Sequence, residues 1–362
     1  MTTSPATARA WVDIDLGALV ANARTVAAAC GTRLLPMVKA NGYGLGAAQV
    51  VRALEAVDPW GFGVATAEEG AALRAAGCSR PLLVTAPLDP GSVDRHLAAD
   101  LRPSIGDLEA LRAWRARSDR PFHLEIDTGM ARAGFRWDDR DALAAAAGEV
   151  RDAPGWEGVY THFHSADTDP ASVERQWDRF RILLASLPRR PPLIHAANSA
   201  AALRGPAYAA DLVRPGIFLY GGDAGGAAPR PVVSLHARVV GLRRVGPGDT
   251  VSYGATWQAP SATTIATVAA GYADGFPRAC EVAPPRPRVV ELAGRTVPVV
   301  GRVTMDMIMV AVDQGPVRVG DVVTLFGGIV SLDEQARAAG TISYELLTSM
   351  GARLPRLYAG AT

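Results

Sequence analysis

Leu34-Leu35-Pro36-Met37-Val38-Lys39, running on into Ala40-Asn41-Gly42-Tyr43-Gly44-Leu45-Gly46, is the stretch on which the reading of this chain turns. An apolar run of strand length ends on a charged residue, enters a glycine-rich turn and continues over 45–57 with the spacing and composition of a helix. That is one βα unit. Seven further short runs rich in Val, Ile, Leu and Phe follow at 61–65, 81–85, 101–105, 122–127, 158–164, 193–198 and 212–220. Helix-like stretches at 67–76, 107–117 and 171–187 separate several of them. Eight strands alternating with helices over some two hundred residues predict an α/β fold whose N-terminal part is a (β/α)8 TIM-type barrel.

In such a barrel, chemistry sits at the C-terminal ends of the strands. Lys39 ends the first run, and the polar clusters Asp127-Thr128-Gly129, His162-Phe163-His164-Ser165, His195 to Asn198-Ser199 and Arg214-Pro215-Gly216 fall at or just past the ends of later ones. Beyond Tyr220 a Gly/Ala-rich linker at 221–229 leads into Val- and Thr-rich segments at 232–240, 263–269, 288–292, 297–300, 308–312 and 322–326, with little helical pattern. A barrel over 1–227 and a C-terminal mostly-β domain over 228–362 are therefore expected, with the first ten to fifteen residues free to join the β domain.

Composition narrows the function. The 362 residues are 49% hydrophobic and 20% charged, and 37 basic against 36 acidic residues leave a net charge of +1. A scattered, balanced charge offers no footprint for nucleic acid or acidic lipid, so a small-molecule partner is expected. The longest uncharged run, 250–272, carries Gln258, Pro260 and many hydroxyls, which reads as strands and not as a membrane span. The Thr/Ala/Pro-rich start does not read as a signal peptide, and three dispersed cysteines (Cys30, Cys78, Cys280) argue against a disulfide framework, so a cytoplasmic setting is expected.

Of the 37 basic residues one is lysine, Lys39, and 36 are arginine. A coding bias explains the arginines. It leaves the lysine to be explained by what a guanidinium cannot do, which is to lose its proton and act as nucleophile or base. The glycines after it let the backbone approach a ligand, and Tyr43 offers a hydroxyl. Asn198-Ser199 and Gly216-Ile217, after the seventh and eighth runs, are either ordinary loop chemistry or the phosphate cradle that barrels often build there. An imine-forming lysine and a phosphate cradle on one rim point to pyridoxal phosphate. His162 and His164 alternate along a strand, the placement of two ligands of one metal, but lack a third ligand at convincing spacing; one histidine packing on a flat cofactor is the preferred reading. Arg214 between apolar neighbours wants an acceptor, and Tyr253 and Tyr272, at turns of the β domain, are structural or proton-carrying.

Taken together these phrases resemble the alanine racemases, pyridoxal-phosphate enzymes of fold type III, over about residues 10–358. The resemblance is carried by Val38 to Gly44, Asp127-Thr128-Gly129-Met130-Ala131-Arg132, Tyr160-Thr161-His162-Phe163, His195 to Ala200, Val213 to Ile217, Ser252 to Thr256, Gly271 to Gly275, Met305-Asp306 and Thr341 to Glu345. It implies a homodimer that interconverts L- and D-alanine. Lys39 would hold the cofactor as an imine and move the α proton on one face. Tyr253 of the partner subunit would do so on the other. The phosphate would be held by Tyr43, Ser199, the backbone at Gly216 and Ile217, and Tyr344, with Asn198 beside them. His162 would contact the ring and Arg214 would face the pyridine nitrogen. Arg132 and the Met305 backbone would hold the substrate carboxylate, with Asp306 and Tyr272 in support, and Asp167, Arg278, Ile342 and Tyr344 would line a narrow entry. Two departures stand out. Glu125 occupies a position where the family commonly has a carbamylated lysine, and is read as supplying the negative charge to Arg132 directly. Leu45 stands where histidine is frequent, which leaves serine or another small amino acid open as substrate. The rivals are an aldolase-like enzyme of the same fold, which would need a metal, and a cofactor carrier without turnover.

Overall fold

Each of the eight runs forms a strand in the computed structural model, which describes residues 7–278 and 288–360. The strands are Arg33–Leu34, Phe62–Val64, Leu82–Pro87, Arg102–Ile105, Phe122–Asp127, Trp156–Tyr160, Leu193–His195 and Leu212–Val213. All neighbouring pairs are parallel, and the Met37–Gly63 bridge joins the first strand's extension to the second and closes the ring. Near-continuous apolar runs suit strands covered on both faces, outside by helices and inside by one another's side chains. The helices start where the sequence provides a side-chain acceptor: Thr66, Asp107, Asp139 and Asp169 cap Ala67–Ala75, Leu108–Arg117, Arg140–Val150 and Pro170–Ser186.

Most strands are shorter than their apolar runs, among them the first, which ends at Leu34, the seventh, which ends at His195, and two more with consequences for the site. The sixth ends at Tyr160, so His162 and His164 lie in the loop beyond it and do not share a strand face. The eighth ends at Val213, because Pro215 has no N–H to give a ladder, and Ile217–Tyr220 winds into a 3-10 turn.

The second sheet contains Val233–Val245, Val322–Phe326, Val289–Leu292 and Arg295–Pro298, with Thr263–Val268 and Ile308–Val312 branching from it. The first strand of the chain, Ala10–Asp15, lies in this sheet, antiparallel to Val233–Val245 and parallel to Arg356–Ala359. Two short helices the apolar pattern did not indicate, Leu332–Ala338 and Ser343–Thr348, also belong to this part. No helix among the described residues is long and apolar enough to cross a membrane.

Candidate active site

The turn after Lys39 is wound the wrong way for L-residues. Ala40, Asn41, Gly42 and Tyr43 have φ of 53°, 54°, 64° and 53°. A left-handed turn costs roughly 1–2 kcal/mol per non-glycine residue and persists only where the surroundings over-determine it. Here Glu69 does part of that work: its two carboxylate oxygens accept from the N–H of Ala40 and of Ala65, each at 2.7 Å. The glycines were expected to admit a ligand, but two of them admit protein. A Cβ on Gly44 would lie 2.5 Å from the Leu347 carbonyl oxygen, and one on Gly46 would lie 2.3 Å from the Tyr358 hydroxyl. The loop that presents Lys39 is thus clamped between barrel and β domain.

Lys39 opens into a cavity of about 490 Å³ at the C-terminal mouth of the barrel, shared with Tyr43, Glu125, Arg132, His162, Asn198, Ser199, Arg214, Gly216, Ile217 and Tyr344. Its side chain forms no hydrogen bond or ion pair among the described residues. Burial, with the nearby charges of Arg132 and Arg214, lowers its pKa against the opposing pull of Glu69.

Opposite the amine, Ser199 Oγ accepts from the Gly216 N–H at 2.8 Å, and Asn198 caps the short helix Ser199–Leu203. A Cβ on Gly216 would lie 2.3 Å from the Tyr43 hydroxyl, so only glycine lets that phenol reach this wall. Tyr43 is stacked on Tyr220, ring centroids 4.3 Å apart, and Tyr344 approaches from the helix Ser343–Thr348. Burial and the charge of Asp167 push Tyr344 up to about 12, so it is a hydroxyl donor at neutral pH. Asp167 is itself exposed at the rim.

The floor is Arg214. Its Nη1 donates to His195 Nδ1 at 2.6 Å, and its Nη2 donates to the carbonyls of Thr161 at 2.8 Å and Ala196 at 3.0 Å, with His162 Nδ1 at 3.2 Å. Burial pushes its pKa down to about 10, still charged at pH 7. Burial first, then the charges of Arg214, Arg132 and Lys39, hold His162 neutral. His164 points away, exposed and bonded to Ser165 at 2.6 Å. Among the described residues no group of three His, Cys, Asp or Glu is placed to hold a metal.

Glu125 and Arg132 both line the cavity, but no ion pair joins them. Glu125 Oε2 is buried and neither it nor the Tyr160 hydroxyl reaches a partner in good hydrogen-bond geometry, and burial raises the Glu125 pKa against the pull of the nearby Tyr160 hydroxyl and then of Arg132 and Arg214. Asp127 organises the turn before Arg132, accepting through Oδ1 from the N–H groups of Gly129, Met130 and Ala131.

Tyr253, Tyr272, Met305, Asp306 and Arg278 do not line this cavity. Tyr253 is 71% exposed and Met305 53%. Tyr253 is held outward between the strands Thr250–Val251 and Trp257–Gln258, behind Ser252 at a φ of 68° whose Oγ donates to the Arg302 carbonyl at 2.7 Å. Tyr272 and Met305 are brought side by side, Tyr272 N–H bonding Thr304 O and Ala273 N–H bonding Met305 O, both at 3.0 Å. Asp306 pairs with Arg353 at 2.7 Å. Arg278 is exposed at the edge of the described residues, and Cys280 lies outside them.

Sequence reasoning passed over Met37, Thr85, Tyr160, Glu345 and Thr348, all of which line the cavity. The first three sit on or next to barrel strands, where a count of inward and outward positions could have flagged them. The last two belong to a six-residue helix too short for a periodic signal.

A barrel whose mouth holds one half-buried amine over a buried arginine, beneath a β domain, defines an enzyme of small-molecule chemistry. Models of the alanine racemase N-terminal domain and C-terminal domain match residues 14–224 and 232–358. The alanine racemase of Carboxydothermus hydrogenoformans is 37% identical over 369 residues, covering 96% of this chain and 99% of its own. That of Chlorobaculum tepidum is 39% identical, covering 95% and 94%. Among solved structures, the biosynthetic alanine racemase of Pseudomonas aeruginosa superposes with a TM-score of 0.88 at 37% identity, covering 97% of this chain and 99% of that one. The chain belongs to the alanine racemase family and is an isomerase.

Proposed function

We propose that the protein racemises alanine with pyridoxal 5'-phosphate, working as a homodimer in which Lys39 of one subunit and Tyr253 of the partner subunit serve opposite faces of the substrate. The observation that carries the reading is the pairing of a single cavity amine with an arginine fixed by four acceptors beneath it. The residues fit the cofactor: Lys39 to anchor it, the hydroxyls of Tyr43, Ser199 and Tyr344 with the backbone at Gly216 and Ile217 to hold a phosphate, and neutral His162 beside the ring. When bound, it supplies an electron sink that acidifies the Cα–H bond of an amino acid.

Inversion needs a proton removed from one face and returned to the other. Lys39 Nζ, with its lowered pKa, takes or gives the proton on its side of the cavity. Arg214 donates and keeps its own proton, so facing the cofactor's pyridine nitrogen it would leave that nitrogen unprotonated and the sink weak, which would favour return of the proton over side reactions. Arg132 is the cation for the substrate carboxylate, Glu125 the negative charge that faces it, and the Met305 backbone of the partner subunit the second contact. Exposure of Tyr253 and Met305 supports a site completed by a second copy. We divide the chain near 227/228, and a cytoplasmic location belongs to the same proposal, supported by free thiols at Cys30 and Cys78.

The test is complementation. Lys39→Ala and Tyr253→Phe homodimers should each lose racemisation, and unfolding and refolding the two together should restore part of it through hybrid dimers carrying one intact site. No recovery would refute a shared site, and near wild-type activity of Tyr253→Phe would refute its role as a base.

A further inference from the structure

Behind Arg214 the barrel interior, normally filled with aliphatic side chains, holds a line of polar ones. His195 Nδ1 receives the Arg214 Nη1 bond at 2.6 Å; His195 Nε2 meets His123 Nδ1 at 2.8 Å; His123 Nε2 meets Glu157 Oε2 at 3.1 Å; and Arg102 Nε closes on the same oxygen at 2.7 Å. The line runs the length of the barrel. Arg214 and His195 are at the C-terminal ends of their strands, whereas His123, Glu157 and Arg102 are at or next to the N-terminal ends of theirs. Both imidazoles are fully buried.

The proton positions follow from the ends. Guanidinium N–H groups only donate, so His195 Nδ1 must accept, and its proton is on Nε2. His195 Nε2 then donates to His123 Nδ1, which leaves the His123 proton on Nε2, aimed at the carboxylate. Every bond points from Arg214 to Glu157, and reversing one would set two donors or two acceptors face to face.

The fold makes room for this line. A Cβ on Gly158 would lie 2.5 Å from His123 Nδ1, so the residue after Glu157 has to be glycine for the imidazole to fit. Tyr160 stacks on His195 with centroids 4.9 Å apart and planes 14° from parallel, and Trp60 covers His123 at 5.8 Å beneath Arg102. A core of aliphatic residues would have been cheaper than two histidines without a use for them.

We infer that Glu157, at the far end of the barrel from the cavity, is a positioning residue for Arg214: its carboxylate is the last acceptor of a line whose tautomers the guanidinium sets, anchors His123 and His195, and so holds Arg214 where it would face the cofactor. The last clause rests on the cofactor reading above; the tautomer assignment does not. The position of the arginine therefore depends on an acid that never touches substrate.

The experiment reads the ring nitrogens directly. In uniformly 15N-labelled protein, assigned by single His→Gln variants of the six histidines, His123 and His195 should both show an unprotonated Nδ1 and a protonated Nε2 at neutral pH. Glu157→Leu should leave the His123 Nε2–H without its acceptor, shift the ring resonances of His123 and His195, broaden or shift the Arg214 side-chain resonances, and lower kcat about ten-fold with a smaller change in KM, the scale on which lost outer hydrogen-bond partners act. Glu157→Gln, whose amide oxygen still accepts from His123 Nε2, should keep the tautomers, the melting temperature and most of kcat. A protonated Nδ1 on either histidine, or unchanged histidine and Arg214 resonances together with unchanged kcat in Glu157→Leu, would overturn the inference. Correct tautomers, with ring and Arg214 resonances that respond to Glu157→Leu, in a protein binding no pyridoxal phosphate would refute the cofactor reading while leaving the line of hydrogen bonds standing.

Discussion

Lys39 is the residue on which chemistry and composition meet, because it is the one lysine of 362 residues. Borohydride reduction of the protein with pyridoxal phosphate should therefore label a single side chain, read by peptide mass mapping, and a label confined to the chain's α-amino group would contradict the assignment. The lowered pKa has a sign. A depressed lysine pKa enlarges the unprotonated fraction at any given pH, so attachment should rise with pH and level off below the ordinary value of 10.5. A plateau at or above 10.5 would show that burial does not act on the amine in solution. If Arg132 holds the substrate carboxylate and Glu125 supplies the charge that faces it, Glu125→Gln should raise KM for alanine several-fold with less effect on kcat. Unchanged KM and kcat would dismiss it. At this scale Lys39 and Arg214 were legible, one by its rarity and the other by its place between apolar residues at a strand end. His123, Tyr160 and Glu157 were not, because facing inward in a closed barrel is a property of eight strands together and not of any one of them.

Among the elements, the turns matter more than the strands. The strand positions followed from apolar runs bounded by glycine, proline or aspartate, and the largest errors fell at the C-terminal ends of the first, sixth, seventh and eighth, where pairing stops before the last residues of the runs. The glycine-rich turn was read correctly as a place of close approach and wrongly as approach to a ligand alone. Nothing in a single sequence says that Gly44 faces Leu347, some three hundred residues away. Gly216→Ala tests the wall between Tyr43 and Ser199: its Cβ would lie 2.3 Å from the Tyr43 hydroxyl. Overpacking costs of about 1–3 kcal/mol correspond to roughly ten- to hundred-fold weaker cofactor binding if the phenol is displaced. Titration of apo protein by absorbance measures it, and wild-type affinity would mean that Tyr43 takes no part in holding the phosphate. The helix Ser343–Thr348 escaped notice because six residues cannot establish a period.

For the whole molecule, the division of labour is that one chain supplies a barrel mouth while its β domain turns Tyr253 outward. If a second copy completes each site, specific activity should fall on dilution in step with dissociation followed by light scattering, and a fully active monomer would end that account. The barrel and β segments could be read in outline from texture alone, and the first ten to fifteen residues were left free to join the β domain; that their strand lies between Val233–Val245 and Arg356–Ala359 is set by pairing, which pattern does not give. The most direct test is proton NMR of L-alanine with the holoenzyme in deuterated water, followed by chiral analysis of the product. Two proton carriers on opposite faces predict loss of the α-proton signal together with appearance of D-alanine, both abolished in Lys39→Ala. A protein that carries pyridoxal phosphate on Lys39 yet exchanges no α proton, or exchanges it with full retention of the L form, would contradict the account.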